Sequence, residues 1–120
     1  MPSAIIINTH ETYIPTWGNK DRADDEKITV TWKHLTVKEQ NSLFKVSRDA
    51  EGKAVIDSEK EAEFIAMTEK VENLTVLLDG EEVEIKNGKD IVDTPRLDGL
   101  YLELKKHYVE REAVDSKNLK

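Results

Sequence analysis

Three histidines, His10, His34 and His107, are the residues of this chain best suited to chemistry. Histidine can bind Zn²⁺ or move a proton near neutral pH. None of the three lies three or four residues from another, so no helical ligand pair forms, and a Zn²⁺ site would need ligands from distant segments. His10-Glu11 is a chance dyad, and His107 has Glu103 one turn before it and Glu110 and Arg111 after it. The spacing predicts surface histidines and no metal site.

Carboxylates are abundant but arrive in runs: Asp24-Asp25-Glu26, Glu59 to Glu63, and Glu81-Glu82-Glu84. A general acid needs an apolar or like-charged pocket to raise its pKa, and such runs predict solvated faces instead. Asp79 to Glu84 lacks the ligand spacing of a calcium loop. There is no cysteine, hence no disulfide and no thiolate nucleophile or ligand. No G-x-x-x-x-G-K-[ST] phosphate loop and no G-x-S-x-G elbow occurs. Asn73-Leu74-Thr75 matches a glycosylation sequon by chance. The expectation is no catalytic residue, no cofactor and no metal.

The elements that remain are those of an interaction module. At 120 residues the chain makes one domain with a modest core. Charged residues are 36% of it, so much of the chain must be solvated. The net charge of −7 argues against nucleic acid and anionic membranes as partners, since both want a basic face. Tyr13, Trp17 and Trp32 are aromatic enough to stack on bases, but Asp21, Asp24, Asp25 and Glu26 between them repel phosphates. They read as core or interface anchors. The first residues have no basic region and only Ala4-Ile5-Ile6-Ile7 as an apolar patch, so no signal peptide is expected. No segment has transmembrane length, and a cytosolic protein is expected.

Periodicity predicts α+β: about three amphipathic helices packed with a small antiparallel sheet. Residues 4–8 and 28–33 read as strands, with Ile28, Val30 and Trp32 on one face. Residues 82–86 read as a third. Helices are expected over 36–47, started by the capping box Thr36-Val37-Lys38-Glu39, over 58–76, started by Ser58-Glu59-Lys60-Glu61, and over 95–112. The middle helix rests on Phe64, Met67, Val71, Leu74 and Leu78, which step by 3, 4, 3 and 4. A hairpin across Asp79-Gly80 is the alternative for its end. Asn87-Gly88 reads as a turn, Ile91-Val92 as one helical turn, and Thr94-Pro95 as the start of the last helix. That helix has Leu97, Leu100, Tyr101, Leu104 and Tyr108 on one face. Gly99 inside it costs about 1 kcal/mol relative to alanine; it is either simply tolerated there or marks the close approach of another helix. Residues 1–27 are expected as an extended arm with a first short strand, 28–112 as the compact domain, 48–57 as a loop within it, and 113–120 as a frayed tail.

The order of elements carries a resemblance. Tyr13-Ile14-Pro15-x-Trp17-x-Asn19 precedes an acidic stretch, the strand Ile28 to Lys33, and Leu35-Thr36-x-x-Glu39. Val71-x-Asn73-Leu74, Leu78-Asp79-Gly80-x-x-Val83-x-Ile85, Asp90-Ile91-Val92 and the closing helix follow. This layout resembles small proteins from the structural gene clusters of long-tailed bacteriophages, and among them is most similar to tail assembly chaperones. The resemblance implies a non-enzymatic role in the host cytoplasm: holding the long tape measure protein soluble until the tail tube polymerises. It implies a protein partner, with oligomers possible. Tyr13, Ile14, Trp17, Leu97, Tyr101 and Tyr108 are the candidate contact residues. The alternative is a virion component (head–tail connector, tail-tube or capsid-decorating protein) whose arm crosses a neighbouring subunit.

Overall fold

The computed structural model describes residues 5, 7–48, 50–52, 54–58 and 60–118. Its architecture is α+β, as periodicity predicts. The central sheet has the order β1-β2-β5, all antiparallel, from β1 (His10–Tyr13), β2 (Thr29–Lys33) and β5 (Thr68–Glu72). Val30 and Trp32 of β2 are fully buried on one face, while Thr29, Thr31 and Lys33 alternate onto the other. The register sets Glu11 opposite Trp32 and Tyr13 opposite Val30, so both β1 side chains share the inner face.

Helix α4 (Asp98–Asn118) covers that face with Leu100, Leu104 and Tyr108, and Leu97 is buried just before its start. Phe64 and Met67 of α2 (Lys60–Met67) and Ile91 of α3 (Gly88–Asp93) complete the same core. Fully burying a side chain of this size contributes about 1.5–3 kcal/mol, so this one cluster dominates stability.

Several expected boundaries are corrected. The first strand is not at 4–8: Ile5, Ile7 and Asn8 are outside any strand, and residues 4 and 6 lie outside the described residues. The strand is His10–Tyr13, so this part of the expected 1–27 arm is a member of the sheet. The capping box at Thr36 forms in both directions, but α1 spans only Val37–Ser42. Leu43 caps it, and Phe44–Arg48 turns into β3, paired with β4 (Ala54–Ser58) in a two-stranded hairpin. The end of the expected helix 36–47, from Phe44 on, and part of the expected loop 48–57 therefore belong to that hairpin. Ser58 is the last residue of β4, and Glu59 lies outside the described residues.

The 58–76 helix stops at Met67, and the 3/4 spacing beyond it has another origin. Glu69 is the extra residue of a β-bulge, since Trp32 faces Thr68 while Thr31 faces Lys70. The bulge puts Thr68 and Val71, three residues apart, on one face. Asn73 then takes a left-handed conformation (φ +64°) and re-aims the chain so that Leu74 is buried as well. Leu74, Val76 and Leu78 alternate as a strand does, so the final step of four is two strand periods.

The hairpin alternative is the one found. β6 (Thr75–Leu78) and β7 (Glu81–Glu84) pair across Asp79-Gly80. Both turn residues have positive φ, +52° and +85°, which is the type I′ geometry that Asp-Gly favours. The expected third strand, 82–86, is thus shifted to 81–84 and pairs with β6, not with the central sheet.

Asn87 is an N-cap, not a free turn: its side chain accepts from Asp90 N at 3.0 Å while Asp90 accepts from Lys86 N at 2.9 Å. Gly88 is buried so close against Thr68 that a Cβ there would sit 2.8 Å from Thr68 Cβ. Thr94-Pro95 follows the end of α3 instead of opening α4. Proline disfavours helical backbone in the residue before it, Arg96 turns left-handed (φ +69°), and α4 begins at Asp98. It continues past the expected end near 112 to Asn118, within the expected tail 113–120.

Candidate functional site

Of the six candidate contact residues, Tyr13 and Trp17 are held against this chain's own α4. Glu103 accepts from the Tyr13 hydroxyl (2.7 Å), Thr16 N (2.7 Å), Thr16 Oγ1 (3.0 Å) and Trp17 N (3.0 Å). Those donors hold its carboxyl below the usual carboxylate range, against the opposing effect of burial. Burial and the Glu103 charge in turn push the Tyr13 hydroxyl up to about 12. The close neighbour that Gly99 admits is the Trp17 indole, 3.1 Å from where a Cβ would stand, not another helix. Asn19, itself buried, fixes the base of the segment: its amide donates to Pro15 O (2.6 Å) and Ile28 O (3.1 Å) and accepts from Ile28 N (2.7 Å).

The histidines are not all surface groups. Glu11 lies between His34 Nε2 (2.5 Å) and Arg111 Nε (2.7 Å). Burial alone would raise the Glu11 carboxyl; the bonds to Arg111 and His34 outweigh it and hold it low. His107 is half-buried and stacks on Tyr13 with ring centroids 3.9 Å apart; burial depresses its basicity. Trp32 packs against His34, His107 and Tyr108, and its buried Nε1 has no acceptor among the described residues. This is a charge-compensated network at the sheet–helix junction. Its signal in the sequence was the β1 alternation, which puts Glu11 and Tyr13 on the face of Trp32. Among the described residues no group of His, Asp and Glu could hold a metal ion, and no described helix is long and apolar enough to cross a membrane.

The other candidates line clefts. Ile14, 53% exposed, borders a shallow depression with Pro15, Lys20 and Lys27. Leu97 and Tyr101 line a cleft of about 220 Å³ with Ile91, Val92 and Glu61. Tyr108 lines one of about 280 Å³ with Phe64, Met67, Lys105 and Val109. Leu97 and Tyr108 are themselves buried, so each shows only an edge. The two clefts follow each other along α4. Their α4 residues are 98, 101, 105, 108, 109 and 112, which is the spacing of one helix face. The Phe64–Tyr101 ring contact, centroids 4.6 Å apart, is the saddle between them. From Leu97 to Glu112 the seam runs about 22 Å at 1.5 Å per residue. Sequence reasoning missed Phe64, Met67 and Val109 as lining residues, because it read the first two only as the apolar stripe of the middle helix and left Val109 outside the apolar face of the last.

No protein-family model matches this chain, and comparison with curated proteins and with solved structures finds no significant match.

Proposed function

We propose that this chain is a non-enzymatic protein-binding module, a phage tail assembly chaperone that receives a helical segment of the tape measure protein in the host cytoplasm. The observation that carries this reading is the seam along α4. It is apolar at its floor (Phe64, Met67, Tyr101, Tyr108) and charged at its rim (Glu61, Glu63, Lys105, Glu112). That is the chemistry of a groove for an amphipathic helix, which would present anchors at i, i+3, i+4 and i+7. Val109, 66% exposed at its edge, would be covered on binding. The net charge of −7 favours solubility of the complex and disfavours nucleic acid as the partner.

The test is co-expression with a tape measure protein, followed by purification of the complex. Co-purification that Val109→Asp abolishes, with unfolding unchanged, supports the reading. A tape measure protein equally soluble without this chain sinks it.

A second reading has its own observation. The chain is flattened, 56 × 48 × 17 Å, with a radius of gyration of 17.5 Å against about 13–14 Å for a compact domain of this length. Two hairpins stand outside the central sheet. Such a shape suits a virion component that interlocks with neighbours. Mass spectrometry of purified particles separates the two: a virion component is present, and a chaperone is absent.

A further inference from the structure

The β6–β7 hairpin carries exposed features that the α4 seam does not use. None of its residues lines either cleft of that seam. The two strands pair only with each other. A two-stranded hairpin is marginal on its own in water, and it has two open edges.

The register decides what those edges offer. Ile85 N donates to Leu74 O at 2.9 Å, so Leu74–Ile85 is a hydrogen-bonded pair, and Val76–Val83 and Leu78–Glu81 follow at the same parity. Glu82 and Glu84 therefore direct their N–H and C=O groups outward, along the free edge of β7. The faces differ as well. Val83 shares one with half-buried Val76. Glu82 and Glu84 share the other with Leu77, which is 72% exposed. Asp79, Glu81, Glu82 and Glu84 make no ion pair within the described chain, whereas Glu11, Glu39, Glu69 and Glu72 all do.

We infer that the free edge of β7 is a second docking surface. Its occupant is a basic, extended segment of a partner protein that adds as a third strand. Charge selects this occupant over a second copy of the chain, because two acidic edges placed side by side would set like charges directly opposite. A segment alternating Lys or Arg with apolar residues meets both faces at once. Its cations lie beside Glu82 and Glu84, and its apolar side chains lie beside Val83. Main-chain hydrogen bonds to Glu82 and Glu84 supply the pairing. This surface is separate from the α4 seam and stands whether or not that seam binds a helix.

The probe is a ten-residue blocked peptide alternating Lys and Val, with the Glu–Val peptide as control, titrated into the ¹⁵N-labelled full chain at 50 mM salt. Amide shifts are expected to concentrate on residues 81–85. The amides of Glu82 and Glu84 should exchange more slowly with solvent. Binding should weaken at least tenfold in 0.5 M salt and in the Glu82→Lys/Glu84→Lys double variant. Glu82→Pro removes an outward N–H that the hairpin ladder does not use, and should also weaken binding while leaving residues 75–78 unshifted. No binding up to millimolar peptide overturns the inference. So do shifts centred elsewhere, equal affinity for the Glu–Val peptide, or full affinity in the double variant. Loss of binding to Val109→Asp alone would move the peptide to the α4 seam and sink this surface while leaving the proposed function standing.

Discussion

The Tyr13 hydroxyl donates a 2.7 Å hydrogen bond to Glu103, ninety residues further along the chain, and the same carboxylate closes on the backbone of Thr16 and Trp17. One side chain of α4 thus holds both the end of β1 and the turn after it. Glu103→Gln replaces one accepting oxygen with a donor and leaves two donors facing it. A loss of about 1–2 kcal/mol in urea unfolding is expected. Tyr13→Phe should cost about 1 kcal/mol, and the double variant less than the sum, since both remove one bond. Additive losses would show that the bond contributes nothing.

Stability should fall on the acid side in two stages. Burial lowers the affinity of His107 for a proton, so the unfolded chain binds that proton more readily. The stability this provides is present above the unfolded value near 6.5 and is lost as pH falls below it. Glu11 and Glu103 are held below 4.5 in the folded chain, so their contribution is present above 4.5 and is lost as pH falls through their folded values. Urea midpoints from pH 8 to pH 3 should show both limbs. His107→Gln should flatten the upper one and Glu103→Gln part of the lower.

At the alkaline end Tyr13 behaves oppositely. Its hydroxyl is pushed up to about 12, so the stability it carries is whole below pH 10 and is lost as pH rises through 12. Ultraviolet titration should show a tyrosine that ionises near pH 12, absent in Tyr13→Phe.

Gly88 and Gly80 fail for different reasons when given a side chain. Gly88→Ala drives a Cβ to 2.8 Å from Thr68 Cβ and 3.2 Å from the Ile65 backbone, a cost of about 1–3 kcal/mol by overpacking. Gly80 has open space around it but φ of +85°, so Gly80→Val costs about 1–2 kcal/mol through strain. Hydrogen exchange separates them. Gly88→Ala should raise exchange throughout the core, and Gly80→Val at Val76 and Val83 alone.

Much of this fold could be read from local chemistry. The Thr36–Glu39 capping box forms as written because its bonds span only three residues. The alternation of β2 and the stripe Leu100, Leu104, Tyr108 fix which faces are buried, since each element must hide its apolar side whatever covers it. Asp79-Gly80 specified its own turn because few residue pairs accept two positive φ values. Tertiary structure alone decided the rest. The stripe from Phe64 to Leu78 counts like a helix, yet a bulge at Glu69 and the left-handed Asn73 make the same count from strands. The open inner edge of β2 demanded a partner strand, and pairing with Thr68–Glu72 satisfied backbone groups that periodicity does not register. The Glu103 clamp, the Glu11–His34–Arg111 network and the seam along α4 join residues up to a hundred positions apart. No spacing rule reaches so far; only the packing of α4 across the sheet brings them together.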